Sequence, residues 1–334
     1  MFISKIRSKE SGILIYGITP PKEQTAEEKV RTMAEKTVST LSNCDIDALV
    51  VYDVQDESAR TSEERPFPFA SSLDPFHFST NYLHKLEVPK IIYRPAGKYS
   101  IDELGEWLQG LASNGYHPVF VGLPSPDYVV KTSLKDAYEL WRTNHGVSCA
   151  MGAVMIPERH ALLKDEDVRI LDKVSSGVSY FISQCIFEIE YARKVLADLL
   201  AACKRDNKEL PTIIFTLTIC GSPKTLQFME WLGIYVPDHI KTELQNSESQ
   251  VRQSVKIAHR IAEQLTEYCQ ENGIPFGFNI ESVAIRREEI DASLELLGLV
   301  RDLLIARGLR KDSVKVISLD NSGSLSEAGI SVNS

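Results

Sequence analysis

The sequence has no pair of cysteines at the C-x-x-C spacing that zinc sites and dithiol redox centres use. Its six cysteines, which mostly lie within apolar stretches, are Cys44, Cys149, Cys185, Cys203, Cys220 and Cys269. A cysteine in such surroundings is usually a small buried hydrophobic residue. We therefore expect no metal site, and we expect reduced thiols, as in a cytoplasmic protein.

Long apolar runs and positive charge are also scarce. No stretch reaches the ~18–20 apolar residues of a membrane span, and the opening "MFISKIRSKESGILIYGITPP" contains no such run. The 37 Lys and Arg residues against 46 Asp and Glu residues give a net charge of −9. This balance disfavours a general nucleic-acid-binding face. We expect a partner that is a small molecule, no nucleic acid and no membrane, while homo-oligomer formation stays open.

The sequence does contain a regular alternation of short apolar runs and amphipathic stretches. Apolar runs bounded by turn residues predict buried strands. The runs are "GILIYGI", "DALVVYD", "PKIIYRP", "HPVFVGL", "SCAMGAVMI", "SYFISQCIF", "TIIFTLTIC" and "PFGFNIES". Because they lack polar alternation, both faces of each strand should be buried, as in a parallel sheet covered by helices. Eight such units over residues 1–317 predict a single (β/α)8 TIM barrel.

The rival architecture is a doubly wound sheet, but no G-x-G-x-x-G follows the first strand. The last stretch, residues 318–334, is rich in Ser and Gly and is expected to form a flexible C-terminal tail. The segment after strand two, "VQDESARTSEERPFPFASSLDPFHFSTNYLHKLE", is longer than a usual βα loop. It is either a loop of the active-site face or an insertion without a role.

Candidate functional residues are the polar side chains that follow the predicted strands, since chemistry in this fold belongs to the carboxyl ends of the strands. They are Asp53, Tyr93, Glu158, His160, Gln184, Asn279 and Glu281. Several also have a purely structural explanation. Asp53 fits the cap of a turn, and the pair Glu158 and His160 fits a solvated loop.

Gln184 is the hardest of these to explain structurally, because it stands among Phe181, Ile182 and Cys185. A buried amide without partners costs about 1–3 kcal/mol. Its side chain offers both a donor and an acceptor, which together can bind one planar heterocycle. The alternative is that Gln184 satisfies only its own neighbours.

Four stretches, in order, resemble the methylenetetrahydrofolate reductase family. They are "YGITPPK", "AVMIPERH", "KVSSGVSYFISQCIFE" and "ICGSPKTLQFMEWLGIYVPDHI", within a register that runs from about Ile13 to Ser282. The resemblance implies a barrel that binds a reduced folate at the carboxyl ends of its strands. In this family, which serves one-carbon metabolism, FAD passes a hydride from NAD(P)H to methylenetetrahydrofolate.

The resemblance also implies roles for individual residues. Gln184 matches the family's glutamine that hydrogen-bonds the pterin, and His160 matches a histidine near the flavin. Tyr93 aligns near a strand-three histidine. Together with the polar strand ends, these matches predict a folate-binding set of Gln184, Asp53, Tyr93, Glu158 and Asn279.

This sequence departs from the family at several polar positions. The family's catalytic glutamate is Gly17 here, and a glycine cannot donate a proton. The Arg-Gly-Asp after strand four has become "VGLPSPD", and other polar positions are Ile156, Ser175 and Val178. We therefore expect FAD to bind weakly or not at all.

Two hypotheses follow. The first is a divergent folate oxidoreductase in which Asp53 or Glu281 replaces the missing acid, with NAD(P)H open as the hydride donor. The second is a flavin-free methyltetrahydrofolate-binding protein, which would be a carrier, a sensor or a component of a methyl-transfer system.

Overall fold

The computed structural model describes residues 2–56, 63–123, 129–144, 149–312, 317–319 and 325–327. The strands are β1 (Ile13–Ile18), β2 (Ala48–Val51), β3 (Lys90–Pro95), β4 (His117–Val121), β5 (Gly152–Met155), β6 (Tyr180–Cys185), β7 (Thr212–Thr218), β8 (Phe276–Glu281), β9 (Ile317–Leu319) and β10 (Leu325–Glu327). The helices are α1 (Phe2–Arg7), α2 (Glu27–Leu41), α3 (Pro75–Tyr82), α4 (Ile101–Ser113), α5 (Leu134–Asn144), α6 (Pro157–Leu163), α7 (Glu166–Ser175), α8 (Ile189–Asp206), α9 (Pro223–Trp231), α10 (Asp238–Gln245), α11 (Gln250–Glu271) and α12 (Arg287–Ala306).

Strands β1 to β8 form a closed barrel in chain order, and every neighbouring pair in it is parallel. This confirms the predicted (β/α)8 architecture. Most of the expected tail, 318–334, lies outside the described residues, apart from part of β9 and all of β10, which pair antiparallel. In the described part of the chain, no helix combines the length and the apolar character that crossing a membrane requires.

The amino-terminal end of the barrel is closed by α1, a helix that the sequence patterns do not predict. Phe2 is fully buried, and its ring centroid lies 5.2 Å from that of His117 and 5.3 Å from that of Tyr180. Six residues are too few to show a helical period. Because α1 fills this end, the carboxyl ends of the strands are left as the route into the barrel interior.

The same end is tied together by the buried carboxylate of Asp47. It accepts hydrogen bonds from the Leu14 amide at 2.9 Å, from Lys5 Nζ at 2.7 Å and from Arg310 Nη1 at 2.6 Å. These bonds join α1, β1 and the segment after α12. Removing one partner of such a buried pair typically costs about 3–5 kcal/mol, so this end of the barrel is built for stability.

Strand β6 contains a bulge just before its carboxyl end. Ile182 pairs with Ile214 of β7, but the next pair is Cys185 with Thr216, so two β6 residues stand opposite one β7 residue. The Thr216 amide donates to Ser183 Oγ at 2.9 Å, and Ser183 Oγ donates to the Gln184 carbonyl oxygen at 2.7 Å. A bulge of this kind re-aims the side chains that follow it. Here it returns Cys185 to the barrel interior.

Replacement of Ser183 tests the bulge. Ser183→Ala should lower the free energy of unfolding by about 1–3 kcal/mol, because the buried Thr216 amide loses its acceptor. Urea unfolding followed by circular dichroism measures this. Ser113→Ala is the matched control, since its hydroxyl bonds the Gln109 carbonyl on an exposed helix surface. Equal, small losses in both variants would show that the hydroxyl of Ser183 does not support the strand.

Candidate functional site at the barrel mouth

The carboxyl group of Glu281, at the end of β8, is the centre of a polar network at the mouth. Its Oε2 accepts a hydrogen bond from Tyr52 Oη and a second bond from Asn279 Nδ2 at 3.3 Å. Its Oε1 accepts from Cys185 Sγ at 3.4 Å. Burial raises the pKa of Glu281, and these three hydrogen bonds only partly oppose that rise. A proton is therefore held more tightly here than on a solvated glutamate.

Gly17 provides the space for this carboxyl group. Gly17 pairs directly with Glu281 across β1 and β8. A Cβ atom at position 17 would lie 2.9 Å from Tyr52 Cε2 and 3.2 Å from Glu281 Oε2. The side chain that β1 lacks is thus replaced, in space, by a carboxyl group from the neighbouring strand.

Asn279 and Tyr93 join the same network. Asn279 is fully buried, and its Nδ2 donates to Tyr52 Oη at 2.8 Å and to Thr216 Oγ1 at 3.3 Å. The Tyr93 ring packs against the Tyr52 ring with centroids 4.8 Å apart. Burial, followed by the charge of Glu281, raises the pKa of Tyr93. Of the residues predicted from the sequence, Glu281, Asn279 and Tyr93 are therefore brought together.

Glu158 and Gln184 lie at the mouth on the side of β5 and β6. Glu158 is in the first turn of α6, immediately after β5, and burial raises its pKa to about 7. Burial, followed by the charge of Glu281, raises the pKa of Cys185, and the charge of Glu158 adds a smaller contribution. Gln184 is half-buried, and its Oε1 accepts from the Cys185 amide at 3.2 Å.

Asp53 is not brought together with Glu281. Asp53 follows the end of β2 at Val51, and the charged groups that act on it are Arg94, Asp74 and Lys98 rather than Glu281. Burial raises the pKa of Asp53 to about 6, and the nearby guanidinium of Arg94 opposes this rise. Arg94 itself pairs with Asp74 and packs on the rings of Tyr99 and Trp107.

His160 is also directed away from the network. It is 1% exposed, and its Nε2 lies 2.8 Å from Asp198 Oδ2 on α8. Its Nδ1 lies 3.6 Å from Asp167 Oδ1 on α7. These contacts join α6 to its neighbouring helices, and the expected role of His160 beside a flavin stays a prediction.

Three residues of the network were not among the predicted site residues: Tyr52, Cys185 and Thr216. Tyr52 shares the interior cluster with Ala48 and Val50, but the sequence does not show this because β2 is apolar on both faces. Cys185 was interpreted as a small hydrophobic residue, because the bulge that turns its thiol toward Glu281 leaves no pattern in the sequence.

The long segment after β2 passes beside this network. At one end of residues 63–73, Trp231 Nε1 on α9 donates to the Glu63 carbonyl at 3.1 Å, and the Phe67 ring packs 5.2 Å from the Phe228 ring. At the other end, the Leu73 amide donates to the Pro21 carbonyl after β1 at 2.8 Å. Since β1 and β8 lie between β2 and β7 in the barrel, the segment runs past the strand ends that hold Gly17 and Glu281. Its position favours a role at the mouth.

The segment after β4 is described only in part. Residues 124–128, which hold most of the "VGLPSPD" departure, lie outside the described residues. Within the described ranges, no three His, Cys, Asp or Glu side chains are grouped as ligands of a metal ion would be.

A methyl group at position 17 tests the space that the glycine provides. Gly17→Ala should lower the free energy of unfolding by about 1–3 kcal/mol, because Tyr52 or Glu281 must shift. Gly105→Ala is the control, since a Cβ atom there meets nothing within 4 Å inside α4 and should stabilise the helix. Chemical unfolding of both variants measures the contrast. Two variants of equal or increased stability would contradict the tight packing around Gly17.

Comparison with known proteins finds a solved structure with clear sequence similarity over nearly the whole chain. No family model and no curated protein matches. A solved structure from Clostridium thermocellum, described as an uncharacterized protein that binds two copies of 5-methyl-5,6,7,8-tetrahydrofolic acid, is 40% identical, with a TM-score of 0.79. The match covers 92% of this chain and 100% of that one. Apo-MsnO8 matches 87% of this chain and 99% of its own at 10% identity, with a TM-score of 0.50, and shares the fold alone. The chain therefore belongs to the family of the Clostridium thermocellum protein.

Proposed function

We propose that this chain binds a reduced folate, 5-methyltetrahydrofolate, at the barrel mouth. The observation that supports this most strongly is the relative that matches over its full length and is described as binding that compound. Ligands of this fold bind at the carboxyl ends of the strands. Phe2 of α1 occupies the other end, whereas Glu281, Gln184 and Glu158 at the mouth are partly exposed.

The mouth residues suit a pterin, which is a flat ring with donors and acceptors along its edge. Gln184 stands at the β6 bulge, where its side-chain oxygen holds a 3.2 Å hydrogen bond from an adjacent amide. The carboxamide can keep that bond and still offer N–H groups and a second lone pair to a ring. The match of Gln184 to the pterin-binding glutamine supports a distant relationship to the methylenetetrahydrofolate reductase family.

A second candidate function is catalysis on the folate, and the position of Glu281 favours it. Gly17 stands where that family has its catalytic glutamate, and the carboxyl group of Glu281 fills the space beside it. A buried carboxyl with a raised pKa suits proton donation to a ring nitrogen. A reductase would also need a hydride donor such as NAD(P)H. Loss of activity in Glu281→Gln with retained folate binding would separate catalysis from binding.

Purified protein is expected to contain no stoichiometric FAD. Ser175 Oγ is bonded to the Leu171 carbonyl of its own helix at 2.9 Å, Val178 is buried, and Ile156 has an apolar side chain. Each hydrogen bond lost to a ligand costs about 0.5–1.5 kcal/mol, so several losses reduce affinity by orders of magnitude. Visible absorbance spectra of the purified protein measure this, and a yellow protein with one FAD per chain would refute the expectation.

Gln184→Leu should weaken binding of 5-methyltetrahydrofolate about tenfold to a hundredfold, because the ring loses about 1–3 kcal/mol of hydrogen bonding. Titration calorimetry measures the affinity, and a melting curve of each protein reports its stability. Gln227→Leu, an exposed change on α9, is the control and should leave affinity unchanged.

Two outcomes count against these assignments. A well-folded Gln184→Leu protein with unchanged affinity would mean that Gln184 serves only its own neighbours. Failure of the unaltered protein to bind any reduced folate would contradict the proposed function itself.

A further inference from the structure

A carboxyl oxygen of Glu158, in the segment that follows β5, accepts no hydrogen bond within the described part of the chain. Glu158 Oε2 is buried, yet no hydrogen-bond partner for it is found among the described residues. A buried acceptor without a partner costs about 1–3 kcal/mol, so such an atom requires an explanation. Its position in the first turn of α6, directly after β5, is where ligands bind in this fold.

Glu281 differs from Glu158 in this respect. Both oxygens of Glu281 already accept hydrogen bonds, from Tyr52, Asn279 and Cys185. Glu281 therefore has less acceptor capacity left for a ligand than Glu158 has. Glu158 receives a hydrogen bond from its own backbone, and its remaining oxygen is unoccupied.

Two aromatic rings lie on the neighbouring part of the rim. Tyr191 is in the first turn of α8, the helix after β6, and α8 contacts α6 through the hydrogen bond between His160 and Asp198. The ring centroid of Tyr191 is 5.3 Å from that of Tyr235, whose side chain is 44% exposed. A partly buried carboxyl beside exposed aromatic rings fits a flat heterocycle with N–H donors on one edge.

We propose that Glu158 accepts the ring N–H and the adjacent 2-amino group of the pterin, with Tyr191 and Tyr235 against the ring system. The assignment rests on the proposed function. Two parallel N–H groups match the two oxygens of a carboxylate, as the guanidinium of arginine does. Gln184, near the end of the adjacent strand β6, would then meet another part of the same ring edge.

Glu158→Gln tests the assignment by calorimetry with 5-methyltetrahydrofolate. The glutamine amide keeps the size of the side chain but presents its own N–H groups to the N–H groups of the ligand. Affinity should fall about tenfold to a hundredfold. Glu188→Gln is the matched control, because Glu188 is a nearby mouth carboxylate that already accepts a bond from the Glu190 amide at 3.1 Å. This control should bind like the unaltered protein.

A folate analogue in which a methyl group replaces the 2-amino group provides a test on the unaltered protein. It should bind about tenfold to a hundredfold more weakly than the parent compound, and Glu158→Gln should make little further difference to it. An analogue that binds the unaltered protein as tightly as the parent would overturn the assignment. This comparison holds even if the variant fails to fold.

The pH dependence gives an independent readout. The titratable groups that interact electrostatically with Glu158 include Glu166 on α7, Cys185 on β6 and Tyr191 on α8. Burial, with a smaller contribution from the charge of Glu166, raises the pKa of Glu158 to about 7. The N–H donors of the ligand favour the ionised carboxylate, so below that pKa a proton must first be lost. Affinity of the parent compound should fall about tenfold per pH unit below about 7. The analogue, or the Glu158→Gln variant, should show a flatter profile.

The results separate this assignment from the proposed function. If the unaltered protein binds no reduced folate, the proposed function fails and the assignment fails with it. If it binds 5-methyltetrahydrofolate, but Glu158→Gln binds equally well with the same pH profile, only the role of Glu158 is refuted.

Discussion

The absence of a side chain at Gly17 is the constraint on which the mouth of this barrel depends. A Cβ atom there would come within 2.9 Å of the Tyr52 ring and 3.2 Å of the Glu281 carboxyl. The hydrogen bonds that link Glu281 to Tyr52, Asn279 and Cys185 therefore require the glycine. In this arrangement β1 leaves a space at Gly17, and the neighbouring strand β8 places a buried acid beside it.

The two ends of the barrel differ in how their buried polar groups affect stability. At the closed end, Phe2 fills the interior. The Asp47 carboxylate accepts hydrogen bonds from Lys5, Leu14 and Arg310. At the mouth, the polar groups are costly for stability. Carboxyl groups there are buried enough to have raised pKa values, and the β6 bulge interrupts the regular ladder. Costs of this kind are retained at sites that bind or react with a ligand.

The barrel could be predicted from the sequence because its evidence is repeated eight times. Each strand is a run that is apolar on both faces, and each run is followed by an amphipathic stretch. The runs overestimate strand length where an apolar segment continues into the mouth, as in "TIIFTLTIC", since β7 ends at Thr218. Helix α1 was not predicted because its six residues span fewer than two helical turns, which is too few to show a periodic pattern.

The site could be predicted only in part. Residue type and strand position suffice for Glu281, Asn279 and Tyr93, which the structure brings together. Residue type and strand position do not distinguish Asp53, which lies away from the network, from Glu281, which lies at its centre. Both stand at the ends of strands that are apolar on both faces, so the sequence does not show which residues point into the barrel. Cys185 depends on the register shift at Ser183, and the environment of His160 depends on the packing of α6 against α8. Both are tertiary features without a local sequence signal.

A crystal structure of the chain with 5-methyltetrahydrofolate tests the central claim most directly. The account predicts a pterin at the carboxyl ends of the strands, within hydrogen-bond distance of Gln184 and beside the Glu281 network. A pterin bound elsewhere, with the mouth residues unchanged from their ligand-free contacts, would contradict it.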